Sequence, residues 1–219
     1  VRDNFVMQVD VMPTVLEVAG VSLPSIQAGR SLVPLFNGDD APWRDALFTE
    51  FTAHGAGFAP QRTVRTDRYK LIHNLRPGHP KPGVTVDGSE VRQALSDPKW
   101  TDTHIERVFQ RIDNPVEFEL YDLENDTIEH HNLAGDSALA DIEADLKARL
   151  FAWRQETFDP LLDNAYFERL KTHTDDHQTA IKQATKTAQS KDQDPPYNRI
   201  DMIPFQEDWP PPWARKIDA

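Results

Sequence analysis

Two sequence features most constrain how this chain can fold. Four short runs have the composition of β-strands, and one long run with helical periodicity follows them. The four runs are residues 46–51, 62–65, 69–73 and 117–121, and the last of them alternates polar and apolar side chains. Residues 66–68 separate the second run from the third, which is the spacing of an antiparallel hairpin. The pattern predicts a four-stranded, mainly antiparallel sheet.

The long helical run spans residues 137–157, and Asp136 or Ser137 is predicted to cap it. Apolar side chains recur there every three or four residues, and charged side chains occupy positions between them. The apolar positions are Leu139, Ile142, Leu146, Leu150 and Trp153. One amphipathic helix across one face of an antiparallel sheet makes a small α+β sandwich, which is the fold class we predict.

A shorter helix is predicted over residues 11–19. Asp10 occupies its N-cap position, Pro13 falls in the first turn and Gly20 ends it. Met12, Val15, Leu16 and Ala19 share one face of this helix, and little nearby sequence can cover them. We therefore expect the helix to pack on a larger neighbour, and we expect the isolated chain to be poorly stable or to associate.

Composition excludes several classes of protein. The 219 residues carry 36 acidic against 24 basic side chains, a formal charge of −12, which argues against general nucleic-acid binding. No apolar run reaches the roughly 20 residues that a membrane-spanning helix needs. The absence of cysteine removes disulfides, thiolate metal sites and thiol nucleophiles. Because the chain opens at Val1 inside a strand-like segment, we expect it to be a fragment or a processed product.

One basic stretch stands out in this acidic chain. Its members are Arg62, Arg65, Arg68, Lys70, His73 and Arg76. They could attract a sulfated or phosphorylated substrate, because arginine recognises such oxyanions through a planar fork. The alternative is that they form salt bridges with the many surrounding carboxylates.

His54 is a second candidate for substrate binding. It lies just past a predicted strand end, on a glycine-containing loop. Binding residues collect on such loops because the scaffold holds them while the backbone can approach a ligand. A purely structural histidine is the alternative.

Other motifs carry less weight. His173 and His177 would share one side of a helix and could bind a metal, but no third ligand is identifiable, so surface histidines are the alternative we favour. The Ser22 to Ile26 segment has the serine and proline of a nucleophile signature, but Ile26 stands where an arginine would be wanted. Asn125, Asp126 and Thr127 match a glycosylation acceptor, which a turn explains equally well.

In their order, these segments resemble the C-terminal portion of type I sulfatases, over roughly residues 6–160. The matching segments are residues 10–21, 29–35, 43–45, 65–72, 119–126 and 132–134, followed by the long helix. Within that family the chain is most similar to the heparan N-sulfatase (sulfamidase) branch. That similarity rests on residues 69–75, on the long insertion before Glu117, and on residues 153–160.

The resemblance implies a domain organisation. Residues 1–40 correspond to the end of a large α/β sulfatase domain, whose last helix precedes the small domain. Residues 41–162 correspond to the C-terminal α+β subdomain, with a long insertion at 76–116. Residues 163–219 form a polar extension with a proline-rich tail, which has no counterpart we can name.

The resemblance also implies a chemistry that lies mostly outside this chain. Sulfatases use a formylglycine and a calcium ion, both held by the large N-terminal domain, so we assign no catalytic and no metal-binding residue here. We predict that the chain alone is inactive and that its partners are the N-terminal sulfatase domain or a companion chain and a sulfated sugar. Substrate binding is assigned to His54 and Arg62, on the loop between the first two strands. A periplasmic, extracellular or lysosome-like location is implied by the family.

Two functions follow from these observations. In the first, the chain is the C-terminal part of an enzyme that hydrolyses a sulfate ester or sulfamate of a sugar, with N-sulfoglucosamine as one candidate. In the second, it is a non-catalytic module that keeps the sulfatase scaffold and binds a partner or an anionic glycan. A formylglycine motif upstream of Val1 would distinguish the first from the second.

Overall fold

The computed structural model describes residues 3–23, 29–38, 42–54, 57–80, 93–95, 97–191 and 193, and at His54 it describes the backbone only. The strands are β1 (Leu47–His54), β2 (Gly57–Arg65), β3 (Tyr69–Asn74) and β4 (Phe118–Asp122). The longer helices are α1 (Val11–Val18), α2 (Val33–Asn37), α3 (His104–Asp113), α4 (Ala140–Glu156) and α5 (Asn164–Ser190).

The strands form one sheet in the order β1-β2-β3-β4, and each neighbouring pair is antiparallel. Val64 lies opposite Phe48 on one side and Leu71 on the other, and Leu71 in turn lies opposite Leu120. Each strand therefore pairs with the next one along the chain, as in a meander. The predicted antiparallel sheet and the α+β class are confirmed.

The main core lies between one face of this sheet and α4. Val64, Leu71 and Leu120 have no exposed surface, and Leu146 and Leu150 of α4 pack against them. The predicted apolar face of the long helix is confirmed, because its other members pack at the margin of the same cluster. A short 3-10 turn, Ser137–Leu139, precedes α4, and the Asp136 side chain caps it by accepting from the amide of Ala138.

A second long helix, α5, packs against the other end of the sheet. Leu170 is buried with Phe58 of β2 and Leu161, and the Arg76 guanidinium binds the Asp175 carboxylate at 2.9 Å. The polar sequence of this segment did not predict such packing, because only a few residues of the 27 face the sheet. The predicted proline-rich tail falls on residues 194–219, outside the described residues.

Asp10 occupies the predicted N-cap position of α1, but its carboxylate accepts no hydrogen bond from the α1 backbone. Instead it accepts from the amides of Met7 and Arg30 and from both terminal nitrogens of Arg44. Burial opposes ionisation, but these bonds outweigh it and hold the pKa of Asp10 below its usual value. We call this arrangement the Asp10 clasp.

Helices α1 and α2 present a large apolar surface to solvent. Four side chains of α1 and one of α2 are between 47% and 74% exposed; they are Val11, Met12, Val15, Val18 and Phe36. We call this set the α1–α2 surface. Large apolar side chains exposed in this number mark an interaction site or an association hazard. Within the described part of the chain, no helix has the length and apolar character to cross a membrane.

Candidate functional site

The turn between β1 and β2 is the first candidate site, because the predicted substrate-binding residues flank it. β1 ends at His54 and β2 begins at Gly57, and these two residues lie opposite each other. The expectation that both His54 and Arg62 lie on the loop is wrong in position. His54 is the last residue of β1, and Arg62 lies well inside β2, opposite Glu50.

The Arg62 side chain is buried. Only 1% of it is exposed, and its Nε and Nη2 donate to the two carboxylate oxygens of Asp159 at 2.8 and 2.9 Å. Its Nη1 donates to the carbonyls of Phe51 and Gln61 at 3.1 and 2.9 Å. Every guanidinium nitrogen thus has an acceptor within the protein. In this geometry Arg62 braces the strands that lead into and out of the turn.

Asp159 joins two arginines. Besides Arg62, it accepts from the Nε of Arg154, the last basic residue of α4, at 2.7 Å. Burial opposes the charge on Asp159, but the hydrogen bonds and charges of Arg62 and Arg154 outweigh it and lower the pKa of Asp159. This Asp159 triad ties the end of α4 to β2. Sequence reasoning missed it, because the three residues are brought together only by tertiary packing.

His73 lies beside the triad on β3, opposite Arg62. Its ring stacks on Phe118 with the ring centres 4.4 Å apart. Burial, and then the positive charges of Arg154, Lys147 and Arg62, lower the pKa of His73 to about 4. The imidazole is therefore neutral at pH 7 and adds no positive charge to this region.

His73 should make the stability of the protein depend on pH. Its pKa is about 4 when folded and near 6.5 when unfolded, so the unfolded state binds the extra proton between these values. The stabilisation is complete above pH 6.5, and we expect about 2–3 kcal/mol to be lost as the pH falls to 4. Denaturation at several pH values, with His73→Gln alongside, measures this contribution.

The exposed His131 provides the control, since 82% of its side chain is accessible. His73→Gln should flatten the pH dependence of the free energy of unfolding between pH 4 and 6.5, and His131→Gln is measured beside it as a histidine replaced at an exposed position. If the free energy of unfolding changed with pH equally in the parent and in His73→Gln, His73 would not be the source of the pH dependence.

Arg68, Lys70 and Arg76 of the basic stretch form salt bridges, which is the second of its two predicted roles, whereas Arg65 lies over the Phe5 ring. Arg68 binds Asp122 at 2.7 Å, and Lys70 binds Glu129 at 2.8 Å. The hydrogen bond from Arg68 is the main reason that the pKa of Asp122 lies well below its usual value. These cations are engaged on several sides of the subdomain, so they do not form one oxyanion-binding patch.

The weaker motifs gain little from the structure. His173 and His177 lie on α5, and no group of three potential metal ligands occurs anywhere in the described ranges. Asn125 lies in the turn after β4, where its amide donates to Asp122. Most of the serine–proline motif falls on residues 24–28, outside the described residues.

Comparison with known proteins agrees with the resemblance. Residues 1–80 match the family model described as N-sulphoglucosamine sulphohydrolase, C-terminal. The chain is 32% identical over 158 residues to an ulvan-active sulfatase from Formosa agariphila. The aligned stretch covers 71% of this chain and 30% of that protein. This chain carries a sulfatase C-terminal region. The match to the sulphoglucosamine model also fits the heparan N-sulfatase branch.

Two further relatives match this chain. An N-acetylglucosamine-6-O-sulfatase from Bacteroides thetaiotaomicron is 38% identical over 72 residues, covering 31% of this chain and 13% of its own length. The multifunctional alkaline phosphatase superfamily protein PehA from Trinickia caryophylli is 28% identical over 156 residues, covering 70% of this chain and 25% of its own length. The chain thus spans less than a third of the length of each of these relatives.

Proposed function

We propose that this chain is the C-terminal part of an enzyme that hydrolyses a sulfate ester or a sulfamate of a sugar. The observation that carries the proposal is the match of residues 1–80 to the sulphoglucosamine sulphohydrolase model. The ulvan-active and N-acetylglucosamine-6-O-sulfatase relatives support a sulfated sugar as the substrate class. The N-sulfate of a glucosamine is the first substrate to test.

The reaction centre belongs, in this proposal, to a part of the enzyme outside this chain. We place the calcium site in the N-terminal sulfatase domain, as the family resemblance implies. When present in the full-length enzyme, formylglycine supplies the nucleophile and calcium stabilises negative charge on the sulfate. We derive no catalytic step from the residues of this chain.

The contribution of this chain is to shape the substrate cleft. We propose that His54, at the end of β1, contacts the sugar, and that Arg62 positions the β1–β2 turn from below through the Asp159 triad. A direct contact between Arg62 and the substrate, the sequence-based prediction, would require its guanidinium to leave Asp159 and two backbone carbonyls. A positioning role needs no such rearrangement.

The α1–α2 surface is the proposed docking site for the N-terminal sulfatase domain or a companion chain. Its exposed valines and Phe36 lie within the first 40 residues, the part that the resemblance assigns to the end of the large domain. Covering these side chains would remove apolar area from water, which favours association by about 25 cal/mol per Å². The same surface explains why we expect the chain alone to associate or to unfold.

Activity measurements test this proposal. The purified chain with added calcium should not hydrolyse an aryl sulfate or a glucosamine N-sulfate, whereas the form that includes the preceding domain should hydrolyse at least one of them. Turnover by the chain alone would contradict our placement of the reaction centre. Failure of the longer form on all sulfate esters and sulfamates, with retained glycan binding, would favour the non-catalytic module.

A variant pair sharpens the same test. In the active form, His54→Ala should lower kcat/KM for the sugar about tenfold or more while leaving small aryl sulfates nearly unaffected. His131→Ala is the matched control, because His131 is exposed and lies after β4. Equal effects of the two substitutions would remove His54 from the substrate site.

A further inference from the structure

A polar cleft lies between α3 and the turn that follows β4. Its volume is about 500 Å³, and its lining consists of two arginines, a histidine, three side-chain amides and one carboxylate. These residues are Arg107, Arg111, His130, Gln110, Asn114, Asn132 and Asp113. α3 belongs to the long insertion at 76–116, and neither the proposed reaction nor the docking of another domain uses this cleft. Its lining chemistry therefore requires a separate explanation.

Arg111 is held in a fixed position in this cleft. One of its terminal nitrogens, Nη1, lies 3.2 Å from the Tyr121 hydroxyl. The same nitrogen lies 2.9 Å from the carbonyl of Glu129 and 3.0 Å from that of His130. The two hydrogens of this nitrogen are shared among three acceptors, which hold the guanidinium in place, so the arginine is oriented before any ligand arrives. Preorganised donors of this kind reduce the entropy lost on binding.

A buried chain of hydrogen bonds supports Arg111 from the sheet. The Tyr121 hydroxyl donates to one carboxylate oxygen of Glu119, and the amide of Asn74 donates to the other at 2.7 Å. The Asn74 side-chain oxygen in turn accepts from the amide of Gln61 on β2. Tyr121, Glu119 and Asn74 are at most 4% exposed. Buried polar networks rigidify a site when their members are satisfied, and this one runs from β2 to the cleft.

The remaining groups of the cleft lie along one face of α3. Arg107, Gln110, Arg111 and Asn114 are spaced three and four residues apart, which places them side by side on a helix. Arg107 gives one nitrogen to the carbonyl of Asp102 at 2.8 Å. Within the described part of the chain, its other nitrogens and the Gln110 amide make no hydrogen bond. These donors are therefore available to a ligand.

The mixture of groups indicates which ligand fits. Two arginines against the one carboxylate of Asp113 leave the lining net positive, which suits a sulfate or carboxylate held by a guanidinium fork. The Gln110 amide suits a sugar hydroxyl, because it can both donate and accept a hydrogen bond. A chain with a net charge of −12 would repel a long nucleic acid.

We propose that this cleft binds a sulfated or carboxylated sugar unit of a glycan. The proposal deepens the proposed function, on which it rests for the choice of a glycan. It implies that the natural substrate is an oligosaccharide or polysaccharide, one anionic unit of which is held by Arg107, Arg111 and Gln110. Small sulfate esters would not occupy this cleft, so its effect should be confined to larger substrates.

Calorimetric titration of the full-length protein with a heparin-derived tetrasaccharide tests the proposal. Arg107→Ala and Gln110→Ala should each weaken binding, and the double variant should weaken it tenfold or more. Arg149→Ala is the control, because Arg149 lies on α4 and pairs with Asp45. We avoid Arg111 as the test position, because its removal would disturb the buried network.

The outcomes separate this inference from the proposed function. Unchanged tetrasaccharide affinity in the double variant would overturn the proposal that this cleft binds a glycan, whether or not the enzyme hydrolyses its substrate. Weakened binding in the double variant, with no hydrolysis of any sugar sulfate, supports the cleft and overturns the proposed function. An equal loss of tetrasaccharide affinity in Arg149→Ala would show a general effect of positive charge and would also overturn the proposal that this cleft binds a glycan.

Discussion

Replacing Asp159 with asparagine should lower the free energy of unfolding by about 3–5 kcal/mol. The carboxylate is 1% exposed and lies between the buried guanidinium groups of Arg62 and Arg154. Removing its charge leaves Arg62 with only the more distant and exposed Glu50, 3.6 Å away, and takes from Arg154 the carboxylate that binds its Nε. Several kcal/mol is the usual cost of breaking such a buried pair. Chemical denaturation followed by tryptophan fluorescence measures the change, because Trp153 stacks on Phe48 nearby, 5.3 Å between ring centres.

The matched control for Asp159→Asn is Asp45→Asn. Asp45 also accepts from an arginine, Arg149, at 2.8 Å, but its side chain is 84% exposed. Exposed pairs contribute at most about 1 kcal/mol, so this substitution should change stability little. A loss below about 1 kcal/mol for Asp159→Asn would show that the triad is not required for stability. The Asp159 variant should also reduce the sugar activity that we attribute to the β1–β2 turn.

Replacing Gly29 with alanine should destabilise the first 45 residues by about 3 kcal/mol or more. A Cβ at this position would lie 2.0 Å from the carbonyl oxygen of Val9 and 2.6 Å from its carbon. Both atoms are backbone, so no side chain can rotate away and the two segments must separate. The separation would also pull the Arg30 amide from the Asp10 carboxylate, a bond of 2.9 Å. Trp43 reports on this region, since its indole donates to the carbonyl of Phe5.

Gly20→Ala is the control, because it makes the same chemical change where space is open. Gly20 has φ +69 and no atom within 4 Å of the added Cβ, so the only cost is the left-handed backbone. That cost is about 1–2 kcal/mol. If Gly29→Ala were no more destabilising than Gly20→Ala, the close approach of residues 29 and 9 would not hold in solution.

The sheet and α4 could be predicted from sequence because their side-chain patterns are local. The alternation at 117–121 and the hairpin spacing around residues 66–68 correspond to β4 and to the β2–β3 pair. The apolar spacing of α4 likewise matches the face that packs on the sheet. In each case one buried face repeats at the period of its own element, so no knowledge of distant residues is needed.

The roles of Asp10, Arg62 and α5 could not be predicted in the same way. Asp10 has the sequence position of a helix cap, but its partners Arg30 and Arg44 are 20 and 34 residues away. Arg62 looked like a surface cation because its acceptor, Asp159, is 97 residues away. α5 buries few residues of a mostly polar segment, so its composition did not indicate packing. In all three cases the role depends on contacts with residues that are distant in the sequence.

The Asp10 clasp has a mechanical consequence. It fastens the start of α1 to Arg44, which precedes β1 by only a few residues. Because two hydrogen bonds join Arg44 to Asp10, a displacement of α1 would also move the segment that leads into β1. We therefore expect a body docked on the α1–α2 surface to influence the position of β1, the strand that ends at His54.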